Sequence, residues 1–275
     1  MHVLNLLDLG PRDYMEVDAL QRATHAAVAE LQAPDTLITW EAQDVYTAGR
    51  RTQPEDVPDS DVPVIAMDRG GSVTYHGPGQ LVLYPIVKVR PPKDVVAFVR
   101  ATEEAVIAAV REWGIETEQV EGRSGVWINN RKLCAIGIKF ADDATMHGLA
   151  LNVSTNLERF THIVPCGIFD AGVVSLEELG VHVSLQEAAD VLVRHLSAAY
   201  EQFLIPERFS PEILDAKPAL RGLKDVKLSS KTGTPWHPKA PAPETAEGAN
   251  PGAPESEASA ASSSENEALA TTPTK

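Results

Sequence analysis

Cysteine is scarce in this sequence of 275 residues, which contains only Cys134 and Cys166. The two residues are far apart and form no C-x-x-C pair, so the sequence predicts neither a disulfide framework nor a cysteine-bound zinc site. We expect both to be free thiols in a reducing compartment, where disulfides do not persist. A free cysteine most often packs as a small buried hydrophobe, so a reactive role needs its own argument.

Basic residues and long apolar runs are also in short supply. The chain has 24 lysines and arginines against 39 aspartates and glutamates, a net charge of −15. This excludes a general nucleic-acid-binding protein, which needs a basic face. The apolar stretches are interrupted well before the roughly 18 residues that a membrane-spanning helix requires. No lysine or arginine precedes the short apolar run at the N-terminus, so we expect no signal peptide, no membrane association and a cytoplasmic location.

The composition divides the chain into two parts. From residue 229 onward the sequence consists mostly of Ala, Pro, Ser, Thr, Glu and Gly. Such a segment has too little apolar surface to offset the entropy cost of ordering it. We therefore predict a folded domain over residues 1–228 and a disordered tail over residues 229–275.

Hydrophobic periodicity predicts both helices and strands in the folded part. Helices are expected over residues 12–32 and 92–113, and a third begins at Ser184, where SLQE has the form of a capping box. Strand-like runs include HVLNLLDLG, DTLITWEA and VPVIAMD, followed later by a predicted meander of GVWIN, KLCAIGIKF and HGLALNV. Strands in runs with helices at their side predict an α+β fold.

Residues 69–80, RGGSVTYHGPGQ, contain four glycines and one proline between strand-like runs. Neither common phosphate-binding pattern, G-x-x-x-x-G-K-[ST] or G-x-G-x-x-G, occurs there. A tight turn is one explanation. Alternatively, the missing side chains let a slender apolar ligand lie against the main chain, while backbone N–H groups remain available for its carbonyl. A fatty-acyl chain fits that description.

Four segments together resemble the lipoyl(octanoyl) transferase family and carry the resemblance over roughly residues 3–205. The segments are RGGSVTYHGPGQLVLYPI, GVWINNRKLCAIGIKF, HGLALNVSTNLERF and IVPCGI. The resemblance implies a fold like the catalytic modules of biotin and lipoate protein ligases, a mixed sheet flanked by helices. It also implies transfer of an octanoyl group from octanoyl-acyl carrier protein, through a cysteine thioester, to a specific lysine of lipoyl domains, the first step of protein lipoylation.

The same resemblance names the partners and the site. The expected acceptors are the lipoyl domains of 2-oxoacid dehydrogenase complexes and the glycine cleavage H protein, and neither a metal ion nor a cofactor is expected. Cys166 is the implied nucleophile and Lys132 the implied cation beside it. The implied acyl pocket is lined by Arg69, Gly70, Gly71, Ser72, Val73, Thr74, Tyr75, His76, Ala135, Ile136, Gly137, His147, Gly148, Leu149 and Ala150.

The residue pattern alone leaves the choice of nucleophile open. Lys132 and Cys134 are two apart in a predicted strand and would share a face, which favours Cys134. A cysteine in the middle of an apolar strand is usually core, whereas Cys166 lies between a proline and a glycine in a predicted loop that a substrate can reach. We therefore assign Cys166 as the nucleophile and Cys134 to packing.

Three other functions fit parts of the same pattern. The alternatives are an ATP-dependent lipoate or biotin ligase, an octanoyl amidotransferase between lipoyl-domain proteins, and a non-catalytic acyl-binding protein. The lack of a nucleotide loop and the presence of Cys166 with Lys132 favour the octanoyltransferase. The resemblance also implies acidic protein partners, and an acidic chain needs a local basic rim to bind them. The candidates are Arg50, Arg51, Arg69, Arg90, Lys93, Arg123 and Arg131; the alternative is that these charges are dispersed over the surface and solvated.

Overall fold

The computed structural model describes residues 1–57, 61–163 and 171–205. Cys166 and the predicted tail lie outside these residues. The described residues contain three α-helices: α1 (Tyr14–Ala29), α2 (Val95–Arg111) and α3 (Leu185–Tyr200). Short 3₁₀ turns occupy Leu7–Leu9, Pro54–Asp56, Leu157–His162 and Glu201–Phe203. No helix in these described ranges combines the length and apolar character needed to cross a membrane.

The strands form two sheets. In chain order they are β1 (His2–Asn5), β2 (Thr36–Trp40), β3 (Val45–Ala48), β4 (Val64–Ala66), β5 (Val73–His76), β6 (Gln80–Ile86), β7 (Glu118–Val120), β8 (Arg123–Ile128), β9 (Arg131–Ala141), β10 (Ala144–Asn152) and β11 (Gly172–Val173). The large sheet has the order β1-β2-β6-β10-β9-β8-β7, with β11 beside β9, and the small sheet has the order β4-β3-β5.

Both sheets are mixed, which confirms the predicted α+β class. In the large sheet β1 runs parallel to β2 and β11 runs parallel to β9, whereas the pairs β2–β6, β6–β10, β10–β9 and β9–β8 are antiparallel. The predicted meander is β8-β9-β10, and its Asn129-Asn130 turn has positive φ at both residues, as a tight hairpin requires.

The helices begin where capping side chains satisfy free backbone N–H groups. Asp13 accepts from the first turn of α1, Asp94 does so for α2, and Ser184 and Glu187 form the predicted capping box of α3. The helices predicted over residues 12–32 and 92–113 are shorter at both ends. The second one starts only after its cap at Asp94, because the prolines before it lie outside the helix.

Opposite faces of the large sheet pack into separate apolar cores. Alternation along β6 sends Leu81 and Leu83 to the core beneath α2 and α3, where Phe98 stacks on Tyr200 at 4.5 Å between ring centroids. Val82 and Tyr84 point to the other face, towards α1. The small sheet and the 157–162 turn share a third cluster that includes Tyr46 and Phe160.

Candidate active site

A cavity lies between the α1 face of the large sheet and the glycine-rich segment that leads into β5. The large sheet contributes Val82, Tyr84 and Ala150, and α1 contributes Tyr14. Many of the residues implied by the family resemblance also line it: Arg69, Gly70, Gly71, Thr74, His76, Lys132, Ala135, Ile136, Gly137, His147, Gly148, Leu149 and Ala150. The structure therefore brings α1, the glycine-rich segment with β5, and strands β6, β9 and β10 to one apolar slot.

Three of the implied pocket residues lie elsewhere. Val73 and Tyr75 alternate with Thr74 and His76 along β5, so they point away from the cavity into the third apolar cluster. The hydroxyl of Ser72 donates to Asp56 at 2.7 Å and fastens the loop before β5. A direct substrate contact stays a prediction for these three residues.

The glycines do not all serve the ligand. Gly70 and Gly137 both line the cavity and are close to each other, since a Cβ on Gly137 would meet its nearest atom, the Gly70 carbonyl oxygen, at an ordinary 3.5 Å. At Gly148 a Cβ would fall 2.1 Å from the carbonyl oxygen of Leu83. Gly148 is thus required by the close approach of β10 to β6, and not only by the room that an acyl chain needs.

Lys132 reaches the cavity because β9 contains a bulge. Trp127 pairs with Lys132 and its neighbour Val126 pairs with Cys134, so Leu133 is an extra residue in β9. This insertion breaks the two-residue alternation that predicts a shared face for Lys132 and Cys134. Lys132 lines the cavity, whereas Cys134 lies in the core beneath α2 and α3.

The two side chains consequently have opposite environments. The ammonium of Lys132, whose residue is 8% exposed, sits over the Trp127 ring at 4.6 Å from Nζ to the centroid. An aromatic face stabilises a cation that has left water. Burial raises the pKa of the Cys134 thiol to about 12, which keeps it protonated at neutral pH. The structure therefore favours packing, and not nucleophilic attack, for Cys134.

The two cavity histidines are held by different networks. His147 has a positive φ of 57°, and its backbone N–H donates to the side chain of Gln21 at 2.8 Å. Its Nε2 lies 2.9 Å from Asp68, and its Nδ1 lies 3.2 Å from the Gln21 amide nitrogen. His76 instead places Nδ1 2.8 Å from Oε1 of Gln80.

The Asp68 carboxylate binds side chains from three different elements. It accepts from His147 on β10, from Arg22 on α1 at 2.9 Å and from Lys139 on β9 at 2.6 Å. The hydrogen bond from His147, followed by those from the two cations, holds the pKa of the Asp68 carboxyl well below its usual range. The network fixes α1 against the strands that form the cavity.

Arg69 acts mainly inside the protein. Its guanidinium donates to the Thr47 carbonyl oxygen at 2.6 Å, to the Thr47 hydroxyl at 2.8 Å and to the Gly70 carbonyl oxygen at 2.8 Å. These bonds join β3 to the glycine-rich segment. Arg69 thus shapes the cavity wall and is buried, which removes it from the proposed basic rim.

Four of the remaining rim candidates divide into two groups, and two fall in neither: Arg90 is exposed, and Arg123 donates to the Asn130 side chain at 3.0 Å. Lys93 pairs with Asp143, and Arg131 pairs with Glu178. Arg50 and Arg51 are exposed and have no ion pair within the described residues. Their backbone N–H groups donate to the carbonyl oxygens of Arg69 and Gly71, so these two arginines directly border the cavity wall.

Sequence reasoning missed part of the lining. The additional residues are Tyr14, Gln80, Val82, Tyr84, Trp127, Asn152, Phe160, Ala171, Gly172 and Val173. Alternation along QLVLYPI could have found Gln80, Val82 and Tyr84, because every second residue of that strand shares a face. Tyr14 comes from a distant helix and left no local signal. Among the residues that the structure describes, no group of His, Cys, Asp or Glu side chains is arranged to hold a metal ion.

Residues 13–197 match the family described as the lipoyl protein ligase A/B catalytic domain. Lipoate-protein ligase A bound with ATP has a TM-score of 0.62 at 17% identity, over 75% of this chain and 90% of that one. A bi-partite lipoate protein ligase from Thermoplasma acidophilum has a TM-score of 0.59 at 18% identity, over 75% and 88%. At these identities the likeness establishes the fold alone, which is that of the lipoate-protein ligases.

Sequence relatives identify the family within this fold. An octanoyltransferase from Leifsonia xyli subsp. xyli is 46% identical over 213 residues, which cover 75% of this chain and 95% of the relative. An octanoyltransferase from Clavibacter sepedonicus is 50% identical over 196 residues, covering 68% and 84%. The chain belongs to the lipoyl(octanoyl) transferase family.

Replacing Gly125 should disturb the bulge next to Lys132. Gly125 has a φ of +125°, and an added Cβ would lie 2.6 Å from the carbonyl oxygen of Cys134. We expect Gly125→Ala to lower the unfolding free energy by about 3 kcal/mol in urea denaturation. Gly122→Ala is the matched control, because it has a positive φ but nothing within 4 Å, and should cost only about 1 kcal/mol. An equal loss of unfolding free energy in the two variants would show that the close contact with the Cys134 carbonyl oxygen does not cause the destabilisation.

His76 should make stability depend on pH. Burial, followed by the charge of Arg69, lowers the pKa of His76 to about 3, against about 6.5 for an unfolded histidine. The unfolded chain binds the extra proton, so the His76 contribution is intact above pH 6.5 and is lost as the pH falls towards 3. Between these limits the unfolding free energy should fall by up to about 1.4 kcal/mol per pH unit more steeply than in His76→Asn. The unfolding free energies of both proteins are measured by urea denaturation at several pH values. An equal dependence on pH in the wild-type protein and in His76→Asn, from pH 7 to 4, would contradict this prediction.

Proposed function

We propose that this protein transfers an octanoyl group from octanoyl-acyl carrier protein to a specific lysine of lipoyl domains, through a thioester on Cys166. The observation that carries the proposal is the buried ammonium of Lys132 in an apolar slot. Such a slot suits an unbranched acyl chain, and the cation suits a reaction that needs a thiolate. Family membership supports the octanoyl group as the cargo, since the relatives carry the name octanoyltransferase.

The described neighbours of Cys166 support its assignment. Cys166 itself lies outside the described residues, but Ala171 and Gly172, a few positions later, line the cavity. Val173 pairs with Lys132 in the parallel β11–β9 register. Gly172 and Val173, six and seven positions after Cys166, are therefore fixed to the strand that presents the ammonium.

The proposed chemistry needs no nucleotide. A cysteine with an ordinary pKa of about 8.5 is only partly ionised at neutral pH, and a nearby ammonium favours its thiolate. The thiolate attacks the donor thioester, a new carbon–sulfur bond forms and the carrier thiol leaves. Because one thioester replaces another, this step is nearly thermoneutral. The lysine amine of the acceptor then attacks the acyl-enzyme, and the more stable amide drives the reaction forward.

The partners and the compartment follow from the same proposal. The donor is octanoyl-acyl carrier protein, and the acceptors are the lipoyl domains of 2-oxoacid dehydrogenase complexes and the glycine cleavage H protein. All of these meet in the cytoplasm. An octanoyl amidotransferase is the competing function, since it uses a cysteine in the same way but takes its acyl group from another lipoyl-domain protein.

Intact-mass measurement tests the class of reaction and the nucleophile together. After mixing with octanoyl-acyl carrier protein, the wild-type chain and Cys134→Ala should each gain one octanoyl mass, because burial keeps the Cys134 thiol unreactive. Cys166→Ala should gain none. A gain that disappears in Cys134→Ala instead would overturn the assignment, and acylation from an octanoylated lipoyl domain alone would establish the amidotransferase.

The exposed arginines beside the cavity should govern docking of the protein donor. Arg50→Glu combined with Arg51→Glu should slow transfer from octanoyl-acyl carrier protein by about 10-fold at low salt, and by less at high salt. Transfer from the uncharged thioester octanoyl-N-acetylcysteamine should change little. Arg111→Glu with Arg194→Glu makes the same change in net charge on α2 and α3 and serves as the control. Equal loss with both donors would reject a docking role.

A further inference from the structure

The two histidines of the cavity differ in what their hydrogen bonds leave free. In His147 both ring nitrogens are occupied, Nδ1 by the Gln21 amide and Nε2 by Asp68. In His76 only Nδ1 is engaged, by Gln80, and Nε2 makes no hydrogen bond within the described residues. His147 is therefore fully used in holding the site together, whereas His76 retains one nitrogen for a ligand.

A chain of amides fixes the tautomer of His76. The Asn152 amide nitrogen donates to the Val174 carbonyl oxygen at 3.1 Å, so the Asn152 oxygen faces the other way. That oxygen accepts from the Gln80 nitrogen at 3.0 Å, and the same nitrogen lies 3.4 Å from the Tyr75 carbonyl oxygen. Because backbone carbonyls can only accept, both amide orientations are set from outside the pair.

The Gln80 oxygen is then left facing Nδ1 of His76, which must carry the proton. Nε2 consequently has a lone pair and can only accept a hydrogen bond. The ring is buried and stacks on Tyr14 at 5.4 Å between centroids, so its direction is fixed as well. Its depressed pKa, caused first by burial and then by Arg69, keeps the imidazole neutral and makes it a poor proton acceptor.

A fixed acceptor in an apolar slot calls for a ligand with an N–H or O–H group. The octanoyl chain and its thioester carbonyl have neither. The attacking amine of the second half-reaction has two N–H bonds once it is neutral. The cavity that Lys132 lines thus holds an acceptor that the acyl chain and its carbonyl leave unused and that the attacking amine can satisfy.

We propose that Nε2 of His76 accepts a hydrogen bond from the ε-amino group of the acceptor lysine and orients it for attack on the acyl-enzyme. This inference rests on the proposed function. The amine nitrogen bonds to the thioester carbonyl carbon, and the carbon–sulfur bond breaks. One amine proton ends on the sulfur, and the other stays on nitrogen as the amide hydrogen that His76 continues to accept. His76 itself gains no proton.

The tautomer can be tested without any assay of activity. In ¹⁵N NMR spectra of uniformly labelled protein, with His76→Asn used for assignment, His76 should show a protonated Nδ1 and an unprotonated Nε2 from pH 5 to 8. Gln80→Met removes the acceptor for Nδ1–H and should let the two tautomers mix. A protonated Nε2 in the wild-type protein would overturn the proposal.

Separate measurement of the two half-reactions tests the role. His76→Asn keeps a donor near Gln80 but has no atom at the position of Nε2, whereas the longer amide of His76→Gln can place an oxygen there. Because His76 also lines the acyl pocket, formation of the octanoyl-enzyme from octanoyl-acyl carrier protein should slow in His76→Asn, but by far less than transfer to a lipoyl domain. Single-turnover transfer to a lipoyl domain should be about 10- to 100-fold slower in His76→Asn and substantially restored in His76→Gln. Thermal melts confirm that the variants are folded.

His25→Gln is the matched control, because His25 is also buried on the α1 side but bonds to the Ala141 carbonyl oxygen and does not line the cavity. It should leave both half-reactions intact. Normal transfer in His76→Asn, or a loss confined to acyl-enzyme formation, would overturn the inference while leaving octanoyl transfer in place. A wild-type protein that forms no octanoyl-enzyme would instead reject the proposed function, and this role with it.

Discussion

The candidate site depends on one inserted residue in one strand. Leu133 interrupts the pairing of β9 with β8, so Lys132 turns into the cavity while Cys134 stays in the apolar core. Without the bulge, the two side chains would share a face and the ammonium would lie in the core or the thiol in the slot. The glycine at position 125 makes room for this arrangement, because its missing side chain lets the stem of Lys132 and the Cys134 carbonyl approach β8.

The rest of the cavity is built so that buried polar groups hold one another in place. Asp68 accepts hydrogen bonds from three elements, and the Arg69 guanidinium donates to backbone and hydroxyl oxygens. The Asn152–Gln80 pair fixes the orientation of His76. Buried polar groups are costly unless they are hydrogen-bonded, so each network also ties separate segments together. The result is an apolar slot whose few polar atoms point in fixed directions, which is the character of a preorganised binding site.

Local patterns in the sequence predicted the elements well, and long-range placement poorly. The periodicity of α2 and α3, the capping box at Ser184 and the β8-β9-β10 meander are all confirmed. These features are encoded by residues a few positions apart. The bulge at Leu133 could not be predicted, because a single insertion leaves no trace in composition and inverts the alternation on which the strand prediction rests. The contributions of Tyr14 and Asp68 depend on packing between elements far apart in the chain, and only the resemblance to a family could place most of the cavity lining.

The contact between Gly148 and the Leu83 carbonyl oxygen has a consequence for how such an enzyme can diversify. Since β10 and β6 touch through their main chains at that point, no larger side chain can be introduced there without separating the strands. The pairing of β10 with β6 therefore fixes this part of the cavity wall. The width of the cavity can instead be altered at Gly137, the partner of Gly148 on β9, where an added Cβ would meet the Gly70 carbonyl oxygen at an ordinary 3.5 Å, or at Tyr14 and Tyr84, which also line the cavity. Enzymes with this fold that accept shorter or longer acyl chains would then differ at those few positions, while the pairing of β6 with β10 stays the same.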